Sequence, residues 1–310
     1  MQKLSMRSDY GLLMNKFMKK NKNILTLSAD TTGGTHIKHA AKNFKNRHIN
    51  YGIAEQNMMA SAAGLARVGF IPVVNTYSAF ASMRALEMLR TAICLNNANV
   101  KIVASHSGLD VGQDGPTHQT LEELGILRSI PNLKILTPVD KYDLEGQMEW
   151  MFKYKGPVYL RTIRRKIGTI LKKKKKFSIG NVLELINYGN EVVIISLQIT
   201  SQYSLEAAAA LNRKGVKCKV LHISCLKPIN ELKILRGIGE AKSVFAVEDH
   251  NIIGGLGTAI SEILVKSNKK VKFYKIGVED RFGKSGSAED LFIKFKLDKN
   301  SIIKKILKNI

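Results

Sequence analysis

Apolar positions along this chain fall into two alternating patterns. Short, near-continuous apolar runs at 23–28, 70–75, 100–105, 133–137 and 158–161, with a briefer one at 48–51, read as strands. A run such as 100–105 is expected where helices cover both faces of a sheet. Between the runs, apolar residues at helical spacing predict helices over 8–21, 55–68, 82–96 and 140–154. The alternation resumes later: strands at 191–196, 219–223, 244–247 and 271–276 interleave with helices over 202–214, 229–240, 255–267 and 288–296. Strand, helix, strand in repetition builds a mostly parallel sheet with right-handed crossovers. The expectation is an α/β protein of two consecutive domains, each a mostly parallel sheet flanked by helices.

The pattern breaks between 164 and 178, where five consecutive lysines, Lys172 to Lys176, stand together. Like charges at that density repel and resist burial, so the stretch reads as a linker or exposed loop. The expected division is 1–165 for the first domain, 166–180 for a Lys-rich linker and 181–310 for the second.

A length of 310 residues suits two cores. Hydrophobic content is 45%, and no apolar run reaches the roughly 20 residues of a membrane helix. The opening Met1-Gln2-Lys3-Leu4-Ser5-Met6-Arg7 has no apolar signal core, so a cytoplasmic protein without a membrane partner is expected. Cys94, Cys218 and Cys225 lack metal spacing and sit in apolar surroundings, which suits free buried thiols. The net charge of +24 could mark a nucleic-acid partner, but the lysines spread along helix faces and loops without interleaved aromatics. They read as a solvated surface, with no nucleic acid expected; the basic field would favour phosphorylated substrates.

Candidate chemistry concentrates between Tyr51 and Gln119. Tyr51-Gly52-Ile53-Ala54-Glu55-Gln56-Asn57 opens the segment, and His106-Ser107-Gly108 with Gly112-Gln113-Asp114-Gly115-Pro116-Thr117-His118-Gln119 closes it. Polar clusters at the ends of apolar runs are where α/β sheets bind ligands. A second such loop, Ala29-Asp30-Thr31-Thr32-Gly33-Gly34-Thr35, follows the strand at 23–28. The segment resembles the pyrimidine-binding domain of transketolases, thiamine diphosphate enzymes that move two-carbon ketol units between sugars. The second unit, with Lys227-Pro228, Val247-Glu248-Asp249-His250 and Gly254-Gly255-Leu256-Gly257, is similar to the transketolase C-terminal domain. Its glycines lack the G-x-G-x-x-G dinucleotide spacing and read as a glycine-assisted helix start. Length and arrangement most resemble the C-terminal subunit of split transketolases.

The resemblance implies roles. Glu55 matches the glutamate that hydrogen-bonds the cofactor's aminopyrimidine N1′ and so drives loss of the C2 proton; by itself it reads as a first-turn Glu on the helix dipole, worth about 0.3–1 kcal/mol. Tyr77 and Phe80 match aromatics that stack on the pyrimidine, Met83 replaces a third, and Asp30 matches an aspartate facing the thiamine ring system from the neighbouring subunit. Arg7, His106 and Arg161 align with phosphate-binding positions, Asp114 with a carboxylate that senses a sugar hydroxyl, and His118 with the histidine beside the reacting oxygens. A phosphate-contacting serine of single-chain enzymes falls at Gly34.

The G-D-G motif and downstream Asn residues that hold the diphosphate and its Mg²⁺ (or Ca²⁺) in that family are missing here; Gln113-Asp114-Gly115 lacks the first glycine. No metal ligand is expected on this chain. Half a site implies an N-terminal partner subunit carrying that motif, assembled as a dimer of heterodimers. Competing expectations are a 1-deoxy-D-xylulose-5-phosphate synthase-like or 2-oxoacid dehydrogenase β-like subunit, and a non-catalytic binding module.

Overall fold

The computed structural model describes residues 3–310; the first two residues of the expected first domain lie outside them. Fourteen strands follow in order: β1 (Lys3–Ser5), β2 (Ile24–Ser28), β3 (His48–Asn50), β4 (Ile71–Tyr77), β5 (Lys101–Ser105), β6 (Lys134–Leu136), β7 (Val158–Arg161), β8 (Lys166–Gly168), β9 (Val182–Asn187), β10 (Val192–Ser196), β11 (Cys218–Ile223), β12 (Cys225–Lys227), β13 (Ser243–Asn251) and β14 (Lys272–Val278). Twelve of them form a seven-stranded sheet ordered β12-β6-β7-β5-β4-β2-β3 and a five-stranded sheet ordered β14-β13-β10-β11-β9, and β1 pairs with β8 in a two-stranded sheet. Within the two larger sheets all pairs are parallel except β12 with β6 and β9 with β11. Every residue of β2 and β5 is buried, as two-sided cover requires.

Helix Met6–Lys20 starts before the expected residue 8 because Ser5 caps it, accepting from the Ser8 amide at 3.4 Å. Its Met6, Tyr10, Met14 and Met18 recur every four residues and bury one stripe. The expected helix over 82–96 is instead two wide π-turns, Phe80–Arg84 and Leu89–Cys94, around a short α-turn at Leu86–Met88. The i+5 bonds Ala85 N to Phe80 O and Leu95 N to Arg90 O mark them. Phe80 thus lies in the first turn of the helical segment, after helical Ser78 and Ala79.

Lys172 to Lys176 are all exposed. Around them the chain is pinned: β8 pairs antiparallel with β1, the Ile170 amide donates to Asp140 Oδ2 at 2.8 Å, and Phe177 is buried. Strand β12, from well beyond the lysines, completes the first sheet, and two apolar clusters each draw residues from both halves of the chain. Cys94, Cys218 and Cys225 are free and buried, and burial pushes each thiol up to about 12, leaving them unreactive. Among the described residues no helix is long and apolar enough to cross a membrane.

Candidate active site

Parallel strands end together, so their C-terminal loops gather along one edge. Asp30 follows β2, Tyr77 ends β4 and His106 follows β5. Asp30 takes a left-handed backbone with φ of 56°; its amide donates to Asn50 Oδ1 at 2.9 Å and its carboxylate is exposed.

Glu55 opens the helix Glu55–Arg67, yet its side chain is only 1% exposed. Both carboxylate oxygens stand 3.1 Å from Arg84 Nη1. The same guanidinium lies over the Phe80 ring, 4.3 Å from its centroid, and Arg84 is itself half exposed. Tyr77 and Phe80 stack at 5.6 Å with 25° between planes, and His118 meets the edge of Phe80 at 5.4 Å. Met83 is exposed beside them. A flat, N–H-bearing cation therefore rests between an aromatic face and a buried carboxylate. The slot fits a planar nitrogen heterocycle that stacks on Phe80 and is hydrogen-bonded by Glu55, as an aminopyrimidine would be. Among the described residues no three His, Cys, Asp or Glu side chains are grouped to hold a metal.

Beside the slot, Arg7 Nη1 donates to Gly34 O at 2.7 Å and stands 3.5 Å from His106 Nε2. Arg7 Nη2 donates to Arg164 O at 3.2 Å, while its Nε is buried with no partner. The His106 ring lies 3.9 Å from the Tyr77 ring, centroid to centroid. Asp114 is one-third exposed and pairs with Arg164 Nη1 at 3.1 Å; His118 is half-buried, with Thr117 Oγ1 at 2.9 Å from Nδ1. Arg7, Asp110, Gly112, Arg164, Arg165 and Ser287 line an adjoining cavity of about 330 Å³.

One expectation is corrected. Arg161 does not face the cleft: it is 1% exposed, with Nε on Glu123 Oε2 at 2.9 Å, Nη1 on Gln198 Oε1 at 2.5 Å and Nη2 on Asp249 O at 3.1 Å. Burial opposes its charge, but Glu123 and Asp249 outweigh burial and push the guanidinium pKa up. All its donor nitrogens are engaged, so no phosphate reaches it; the guanidinium at the mouth is Arg164, from the loop after β7. His106 is 2% exposed, and burial, with Arg7 and Arg164 adding to it, depresses its pKa to about 2. The ring orients its neighbours, with Nδ1 2.8 Å from Ser105 Oγ and Nε2 3.5 Å from Arg7 Nη1. Arg84 and Arg164 escape a sequence reading because apolar rhythm says nothing of where a long side chain reaches. The one available signal is that Arg161 is the last residue of a buried strand while Arg164 and Arg165 lie past its end.

Known proteins resemble the chain over nearly its whole length. The family description "Transketolase, pyrimidine binding domain" matches residues 2–169, and "Transketolase, C-terminal domain" matches residues 181–302. The chain is 38% identical to a putative transketolase C-terminal section of Methanocaldococcus jannaschii, over 97% of this chain and 95% of that one. It is 32% identical to the 6-deoxy-6-sulfo-D-fructose transketolase subunit SqwH of Clostridium sp., over 96% and 92%. A solved structure titled "Split gene transketolase, inactive beta4 tetramer" superposes with a TM-score of 0.88 at 32% identity, over 99% of this chain and 98% of that one. With both domain matches and near full-length relatives, the chain belongs to the transketolase family.

Proposed function

We propose that this chain is the C-terminal subunit of a cytoplasmic, thiamine diphosphate-dependent transketolase that transfers a two-carbon ketol unit from a ketose phosphate to an aldose or aldose phosphate. The observation that carries the reading is the slot formed by buried Glu55 and stacked Tyr77 and Phe80, held around a planar cation. Thiamine diphosphate, when bound, supplies an acidic C2 carbon that takes up the ketol unit. In this chain Glu55 holds a proton at N1′ of the pyrimidine, while Tyr77 and Phe80 orient that ring and exclude water. Asp30 faces the ring system of a neighbouring copy. His118 and Asp114 bind the sugar hydroxyls near the reacting carbons, and Arg7 with Arg164 attracts the anionic end. A relative named for a sulfosugar supports an anion-terminated ketose, since sulfonate and phosphate both present oxygens to guanidinium groups.

The diphosphate and Mg²⁺ (or Ca²⁺) sit on an N-terminal partner subunit, and two heterodimers associate. A relative titled an inactive tetramer of β chains supports both self-association and dependence on a partner. The test is reconstitution. The chain is mixed with its N-terminal partner, cofactor and Mg²⁺, and ketose phosphates are screened against aldose acceptors, with pyruvate as the donor of the synthase alternative. Turnover only in the mixture, with ketose donors, is expected. Tight stoichiometric cofactor binding by this chain alone, or turnover from pyruvate only, would sink the reading.

A further inference from the structure

The loop carrying Asp114 and His118 is held from the second domain. Its 3₁₀ turns, Gly108–Asp114, bend sharply at Gly112, where φ is 72° and ψ −116°. At its start, Asp249 from the end of β13 accepts from Leu109 N at 2.9 Å and from Asp110 N at 3.4 Å. The fit is close: a Cβ on Gly108 would lie 2.3 Å from Asp249 Oδ2. Asp110 passes the constraint on, accepting from Arg164 N at 2.6 Å and Arg165 N at 2.8 Å, and Arg164 reaches Asp114. At the far end, Gln119 Nε2 donates to Lys284 O at 2.9 Å, and a Cβ on Gly283 would lie 1.8 Å from Gln119 Oε1. Both ends of the loop are thus gripped by residues more than a hundred positions away.

We propose that Asp249 is a positioning residue for sugar transfer: through the Leu109 and Asp110 amides it sets the Asp110–Arg164–Asp114 chain and the placement of His118. The inference rests on the proposed function and gives the second domain a part in substrate handling as well as packing. A carboxylate accepting two backbone amides at a buried site fixes them strongly. An asparagine of the same shape must present an N–H to one of them, which leaves a buried donor facing a donor. A displacement of about 1 Å in groups near reacting atoms costs on the order of 10²-fold in rate.

The experiment uses Asp249→Asn and, from the other end of the loop, Gly283→Ala, each reconstituted with the partner subunit. Hydrogen exchange of peptides covering 107–119 is measured with steady-state ketol transfer and with deuterium exchange at the cofactor C2. Faster exchange in the loop, a fall in kcat/KM on the order of 10²-fold and an unchanged C2 exchange are expected. Loop exchange at the wild-type rate, or a loosened loop with unaltered kcat/KM, would overturn the positioning role. So would equal losses in C2 exchange and transfer, which mark a general structural defect. If Asp249→Asn does not fold, Gly108→Ala, whose Cβ would lie 2.3 Å from Asp249 Oδ2 and so displace that carboxylate, decides by the same criteria. Wild-type protein that turns over no donor and exchanges no C2 proton would instead refute the proposed function, and the loop exchange data would still report whether Asp249 holds the loop.

Discussion

The Tyr77 hydroxyl occupies the space that a side chain at position 34 would need: a Cβ on Gly34 would lie 2.0 Å from Tyr77 Oη. Glycine at 34 and tyrosine at 77 are therefore one feature. The position where single-chain transketolases resemble this chain but carry a serine is filled here by the phenol of a residue that also stacks on Phe80.

Gly34→Ser should displace Tyr77 and weaken the aromatic slot. The Tyr77→Phe background should relieve part of the damage, since the ring carbons Cε1 and Cζ would still lie 2.8 Å from the new Cβ. A double-mutant cycle on unfolding free energy should give a favourable coupling of about 0.5–3 kcal/mol. Strict additivity would mean that the two positions do not compete for the same space.

Arg161 and Arg164 should separate cleanly. Arg161→Ala leaves Glu123 buried without its cation and should cost about 3–5 kcal/mol in urea unfolding. Arg164→Ala, at a one-third exposed position, should cost about 1 kcal/mol or less and instead raise KM for anion-terminated sugars with kcat little changed. A raised KM with intact stability in Arg161→Ala would return that arginine to the substrate site.

The apolar rhythm predicts most of the parallel strands because burial on both faces leaves a continuous signature. It omits β12, β9, β8 and β1. β12, β8 and β1 are only three residues long, and Val182–Asn187 is an edge strand with mixed exposure whose pairing is settled by β11 alone. In the site, Glu55, Tyr77, Phe80, Asp114 and His118 are visible as a motif resemblance, since short loops at strand ends carry their chemistry in local sequence. Arg84 on Glu55, and Arg161 on Glu123, Gln198 and Asp249, are tertiary pairings that no local pattern encodes.

The buried cluster at the end of β13 gives the chain a pH signature. Burial raises Glu248 from 4.5 to about 7 and Asp249 from 3.8 to about 6, and lowers His250 from 6.5 to about 4. A carboxyl whose folded pKa is raised holds a proton that the unfolded chain has lost, so its stabilisation is complete below the unfolded pKa and disappears as pH rises through the folded one. His250 acts in the opposite sense between about 4 and 6.5, which leaves Glu248 as the dominant member of the cluster from about pH 6 to 7. The stability of wild type relative to Glu248→Gln should fall over that interval, by at most about 1.4 kcal/mol per pH unit. A relative stability that climbs over the same interval in urea titrations would contradict this assignment.

Glu55→Gln tests the central claim. The substitution keeps the side chain's shape and its place under Arg84, but an amide cannot hold and return the proton at N1′. Association with the partner subunit should survive, while loss of the cofactor C2 proton and ketol transfer fall together by about 10²–10⁴-fold. The direct measurement is hydrogen–deuterium exchange at thiamine C2 in the reconstituted pair, followed by NMR. Exchange slowed by that factor is the predicted result; exchange as fast as in wild type would show that Glu55 is not the activating acid.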